Sequence, residues 1–200
     1  MEFQHINVKL FVNKAEELDL AAVIPVFHSW IQNRSNGELL LDVADYRHVH
    51  SGPGVVLIGH QGNYSLDNTG GRLGVRYNRK AVLGGANQDR LFEATQAALT
   101  ACQRLETEPS LNGKIQFNGR EMEVFINDRL LAPNSDQTRR TALPELQTFF
   151  SNLLGGGEFD LTYQPDPRSL LGARATAFQS LTTEALLDNL YILAPAPGPR

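Results

Sequence analysis

Apolar and polar side chains alternate over the first dozen residues, with Ile6, Val8, Leu10 and Val12 on one side and His5, Asn7 and Lys9 on the other. This period of two predicts a half-buried strand over residues 3–12. Within residues 19–33 the spacing changes to that of a helix, with Val23, Phe27, Trp30 and Ile31 on one face. Pro25 is costly inside a helix but suited to its first position, so it predicts that the firm helix begins there. After an Asn36-Gly37 turn, two short apolar runs at 39–43 and 55–58 read as buried strands joined through Gly52-Pro53-Gly54. Tyr64 and Leu66 mark another short strand. Leu73, Val75 and Tyr77, alternating with Arg72, Arg76 and Asn78, mark a clearer one.

In the second half, Leu91, Ala94, Ala98, Cys102 and Leu105 step by three or four through residues 87–107, a helix that turns Cys102 into the core. Residues 114–127 predict a hairpin about a type I′ turn at Asn118-Gly119, setting Ile115 opposite Met122 and Lys114 opposite Glu123. A further helix lies within 135–154. Pro144 either kinks it or precedes its firm part, and Gly155-Gly156-Gly157 ends it. Phe159, Leu161 and Tyr163 form a strand paired, across Pro165-Asp166-Pro167, with one carrying Leu171, Ala173, Ala175 and Ala177. Residues 182–190 form a short helix, and residues 194–200 a Pro-rich, disordered or extended tail.

This order defines an α+β fold with antiparallel sheet covered by helices. From Val55 onward, strand, strand and helix recur three times, at 55–107, 114–154 and 158–190, the pattern of repeated ββα units. No linker interrupts the pattern, which predicts one compact domain over residues 1–193, with two intimately packed halves as the second organisation. The chain is 42% hydrophobic and 20% charged over 200 residues, ordinary globular values that allow a sizeable core without disulfides. A net charge of −4 and a pI near 5.7 argue against nucleic acid or anionic membrane as the partner, although a local basic patch is compatible with them. The N-terminal residues lack a leader pattern and no apolar run approaches about 18 residues, so a cytoplasmic protein without membrane insertion is expected. The single cysteine, Cys102, excludes an internal disulfide or a multi-cysteine metal site.

Candidate chemistry concentrates between Asp42 and Tyr64. His48 and His50 in an extended segment would place two imidazoles on one side, with His60 as a third ligand and Asp42 or Asp45 as a carboxylate. The plainer alternative leaves His48 and His60 partly buried and bonded to strand-end backbone. Asp42 interrupts an apolar run and so needs a cation, for which Arg47 or a histidine serves. A basic group, Arg72, Arg76 and Lys80 on one strand parity, precedes Gly84-Gly85-Ala86-Asn87 at a helix start, where an acidic ligand can find N–H groups; otherwise Asn87 caps the helix. No GxSxG, P-loop or GxGxxG motif is present, and Cys102 on an apolar face is not a reactive thiol.

The segments IPVFHSWIQ (24–32), LLLDVADYRHVHSGPGVVLIGH (39–60) and NDRLLAPN (127–134) resemble a bacterial protein family well represented in cyanobacteria, over most of the chain. His28, Asp42, Asp45, Tyr46, His48, Gly52, Pro53, Gly54 and His60 match its motif, in which proline often stands at the position of His50. The resemblance implies no activity and assigns these residues no role. The expectation is therefore a binding or assembly protein recognising another protein or an acidic small ligand through Asp45, Tyr46, His48, His60 and Arg76, with no cofactor and with a second copy of the chain as a further candidate partner. The alternative is a metal-assisted hydrolase that uses Asp42, His48 and His60 as ligands and Asp45 as base.

Overall fold

A computed structural model describes residues 1–33 and 38–192; the predicted Asn36-Gly37 turn and the tail at 194–200 lie outside the described residues. The strands are β1 (Ile6–Val12), β2 (Leu40–Tyr46), β3 (Gly54–Gly59), β4 (Gly62–Asp67), β5 (Gly74–Arg79), β6 (Phe117–Ile126), β7 (Phe159–Tyr163) and β8 (Leu171–Ala177). They join in one antiparallel sheet of order β2-β3-β4-β5-β1-β6-β8-β7. The helices are α1 (Val23–Gln32), α2 (Asn87–Glu106), α3 (Asp136–Leu153) and α4 (Thr183–Ile192). The α+β class with helices over an antiparallel sheet is therefore as expected.

Partners directly opposite in a sheet share a face. One row, Val43, Leu57, Tyr64, Tyr77, Val8, Val124, Ala173 and Tyr163, crosses all eight strands beneath the helices. It joins Phe27 and Trp30 of α1, Leu91, Leu99 and Cys102 of α2, Phe149 and Phe150 of α3, and Leu186 and Leu190 of α4 in a single apolar cluster. Cys102 is fully buried there, and burial pushes its thiol pKa well up. The neighbouring row on the opposite face reads Ala44, Val56, Ser65, Arg76, Lys9, Glu123, Arg174 and Thr162. Four charged residues thus lie side by side at the middle of the sheet.

Three local expectations are revised. β1 is buried on both sides, with Asn7 and Lys9 each 2% exposed, because it sits between β5 and β6 rather than at an edge. β2, by contrast, is an edge strand on which Leu41, Asp42, Asp45 and Tyr46 are exposed. The predicted hairpin does not form: β6 runs straight through Asn118-Gly119, and the irregularity appears as a bulge, since β1 advances from Leu10 to Val12 while its partner shifts from Met122 to Phe117. Gly119 is required for close approach, because a Cβ there would lie 1.7 Å from the carbonyl oxygen of Leu181. Glu123 consequently faces Lys9 and Arg174 rather than Lys114. With one strand in the middle segment, the threefold ββα repeat is not formed.

The helix boundaries follow local chemistry. α1 starts two residues before Pro25, which sits in the first turn where its missing N–H is harmless. α3 is capped by the Ser135 hydroxyl, which accepts the N–H of Thr138 at 3.2 Å, and it continues through Pro144 on its exposed side. It ends where the N–H of Gly156 donates to Ser151 O at 2.7 Å, with Gly155 and Gly156 at φ +65° and +76°.

Candidate functional site

The face of the sheet away from the helices carries a trough of about 380 Å³, within the range of small-molecule sites. Its floor comes from β1, β5, β6 and β8 and from Asp67 at the end of β4. The turn after β4, with Thr69, Gly70 and Arg72, closes one end; Arg129 beyond β6 and Gln164, Ser169 and Leu170 between β7 and β8 close the other. From Phe11 to the level of Phe125 the floor spans about four residues of strand, roughly 13 Å.

The lining holds five cations, Lys9, Arg72, Arg76, Arg129 and Arg174, against the carboxylates of Asp67 and Glu123. Lys9 Nζ donates to Asp67 Oδ1 at 2.7 Å, with both side chains 3% exposed, and to Thr69 O at 3.3 Å. Burial lowers the Lys9 pKa from its ordinary 10.5, and the adjacent Asp67 carboxylate opposes that shift without cancelling it. The other Asp67 oxygen accepts the Thr69 hydroxyl at 2.8 Å. Arg76 therefore reaches Asp67 only at 3.8 Å. Arg174 donates from Nε and Nη2 to Glu123 Oε1 at 2.9 and 2.5 Å. Arg72 pairs with Glu121 at the trough's end. Arg129 makes no ion pair among the described residues and is exposed.

Two phenylalanines orient these cations. The Arg72 guanidinium lies 3.8 Å from the Phe11 ring centroid, and that of Arg76 lies 5.1 Å from the Phe125 centroid. Stacking holds a guanidinium by its face and leaves its edge N–H groups for a planar or tetrahedral anion.

Of the residues singled out from sequence, Arg76 and its neighbour in the basic group, Arg72, enter this trough. Asp45, Tyr46 and His48 cluster at the exposed end of β2, where Tyr46 and His48 have ring centroids 6.4 Å apart. Arg47 donates there to both Asp45 oxygens at 2.9 and 2.8 Å, and this pairing holds the Asp45 pKa down at about 2. His60 lies at the opposite end of β3, a strand of six residues or roughly 17 Å, so it does not meet His48. His48, His50 and His60 are all exposed, which revises the partly buried placement of the first and last. Asp42 is exposed as well, and its Oδ1 accepts the N–H of Val43 at 2.8 Å rather than a cation. The Asp42, His48 and His60 ligand set is therefore not assembled, and among the described residues no group of three His, Cys, Asp or Glu could hold a metal.

The expected anion site at the start of α2 is also altered. Asp89 Oδ2 accepts the N–H of Ala86 at 2.8 Å, so the helix's own carboxylate occupies that end. Asn87 does not cap; its Oδ1 accepts from Phe3 N at 2.8 Å and its Nδ2 donates to Met1 O at 2.9 Å, tying down the N-terminal segment. Lys80 is turned away to the carbonyl of Gly59, 2.5 Å distant.

The trough residues that sequence reasoning missed, Lys9, Asp67, Glu123, Arg129 and Arg174, come from five separate segments. For Lys9, Asp67, Glu123 and Arg174 the available signal was a charged residue at the polar parity of a strand; Arg129, in the turn after β6, carried none. No helix among the described residues is long and apolar enough to cross a membrane. No protein-family model, curated protein or solved structure matches the chain.

Proposed function

We propose that this protein is a non-catalytic binding protein whose ligand is a small acidic molecule held in the trough on the open face of the sheet. The observation that carries this reading is an excess of cations in one concave site of a chain whose net charge is −4. A concave wall lined by an excess of one sign focuses its field on what enters and raises the local concentration of anions. Arg76 is held 3.8 Å from an Asp67 already engaged by Lys9, and Arg129 makes no ion pair among the described residues, so an entering anion gains charge-assisted hydrogen bonds without displacing an existing tight pair. The trough, rather than the Asp45–His48 surface, is favoured because the cation at the exposed end of β2, Arg47, is already paired with Asp45.

A thermal-shift series tests the reading. Ligand binding to the folded state alone raises stability by about 2.7 kcal/mol at a concentration 100 times Kd. Small anions at constant ionic strength should raise the melting temperature, uncharged analogues should not, and the Arg76→Gln/Arg129→Gln double variant should lose the response. A response unchanged in that variant would refute the site.

A further inference from the structure

The charge balance of the trough goes further than its sign, and we infer that its ligand is an organic dianion, a phosphomonoester or a dicarboxylate, whose two negative charges are met by Arg76 and Arg129. This rests on the binding reading above. The five lining cations are opposed by Asp67, Glu123 and, through Arg72, Glu121, which leaves two positive charges unmatched. The pairing geometry says where those two charges are. Lys9, Arg72 and Arg174 each have a carboxylate oxygen in close contact. Arg76 stands 3.8 Å from an Asp67 already engaged by Lys9 and Thr69, and Arg129 has no ion pair among the described residues. Arg76 also stands directly opposite Lys9 across β5 and β1, a juxtaposition of like charges that an anion relieves.

Volume and lining supply the rest. A trough of about 380 Å³ holds much more than a bare inorganic ion, and the half-buried Phe125 and Leu170 give the remaining part of the ligand an apolar wall. Arg76 rises from the middle of the floor and leans on Phe125, on the same end of the trough as Arg129. A phosphomonoester would place one group between the two guanidiniums, whereas a dicarboxylate would give one carboxylate to each. The shared chemistry is two negative charges on a small organic frame.

Calorimetric titration of the whole chain at fixed ionic strength distinguishes these cases, with glycerol 3-phosphate, glutarate, inorganic phosphate and butyrate as probes. The expected result is that glycerol 3-phosphate or glutarate binds at least tenfold more tightly than butyrate, and that Arg76→Gln and Arg129→Gln each weaken that probe about tenfold while changing butyrate less than threefold. Tighter binding of glycerol 3-phosphate identifies the phosphomonoester, and tighter binding of glutarate the dicarboxylate. Arg129→Gln removes no ion pair among the described residues, so its effect is separable from folding, which unchanged circular dichroism and melting temperature would verify. Butyrate binding within twofold of both organic dianions, still sensitive to Arg76→Gln, would overturn the dianion and leave the anion site standing. Inorganic phosphate binding as tightly as the organic probes would overturn the organic frame. No saturable binding by any probe up to about 10 mM would overturn the anion-binding reading itself.

Discussion

Replacing Asp67 with asparagine removes the charge that accompanies Lys9 at the middle of the sheet. Both side chains are 3% exposed and their atoms approach to 2.7 Å, so bulk water screens the loss very little. Deleting one partner of a buried ion pair costs about 3–5 kcal/mol, because the other charge is stranded. The substituted amide retains an oxygen that can accept from Lys9, and Glu123 lies directly across from Lys9 on β6, which places the cost at the lower end, about 3 kcal/mol. With a urea slope of about 2 kcal/mol per molar, the unfolding midpoint should fall by about 1.5 M without a change in slope.

The pH dependence adds a second, signed expectation. Lys9 already has a folded-state pKa below 10.5 through burial, so between the two values the unfolded chain binds more protons and Lys9's contribution to stability rises with pH. Asp67→Asn removes the group that raises that pKa and widens the window. The deficit of the variant should therefore shrink from pH 7 toward pH 10. Comparison with wild type at each pH cancels Tyr77, whose pKa burial raises in both. Replacing the pair together, Lys9→Met with Asp67→Leu, should restore stability to within about 1 kcal/mol of wild type, since apolar groups of similar size remove the desolvation cost. An Asp67→Asn deficit below about 1 kcal/mol at pH 7, or one that grows with pH, would refute this account of the sheet's centre.

Gly119→Ala should destabilise the protein by about 3 kcal/mol in urea unfolding, because the new Cβ meets the Leu181 backbone at 1.7 Å and backbone yields little; an effect near zero would mean that the segment before α4 moves freely. A carboxyl-carbon NMR titration of Asp45 should give a midpoint of about 2, and Arg47→Gln should return it toward an ordinary value of about 4. The folded pKa is depressed, so this pair's stabilisation is present above 3.8 and lost as pH falls through about 2. Cys102, fully buried with a raised pKa, should react with a thiol reagent only after unfolding; reaction in native buffer at the unfolded rate would contradict its place in the core.

Period and punctuation made most of the elements legible. β1, β4, β5, β7, β8 and all four helices lie where alternation, helical spacing and Gly or Pro signals put them. Asn118-Gly119 misled because an Asn-Gly pair suits a bulge as well as a turn, and only the segment around Leu181, far later in the chain, decides between them. The burial of Lys9 was hidden for a related reason. Alternation identifies two faces of a strand, but strand order determines whether the polar face meets water, and β1 acquires β5 and β6 as neighbours only through long-range pairing. The histidine-rich stretch drew attention through local density, whereas the trough takes its charged side chains from strands remote in sequence. Arg76 was visible because it belongs to a local basic group; Arg129 and Arg174 stand in segments with no comparable local clustering.

The charged row across β5, β1, β6 and β8 also bears on how this long sheet finds its alignment. Sliding β1 by one residue exchanges Asn7, Lys9 and Phe11 for Ile6, Val8 and Leu10, which drives an ammonium group under α2 and turns aliphatic side chains toward Arg76 and Glu123. An all-apolar central strand would tolerate that misalignment, since either set of side chains could fill the layer beneath the helices. Lys9, Glu123 and Arg174 make the mispaired sheets poor competitors, so the same side chains that line the trough select the one alignment in which the trough exists.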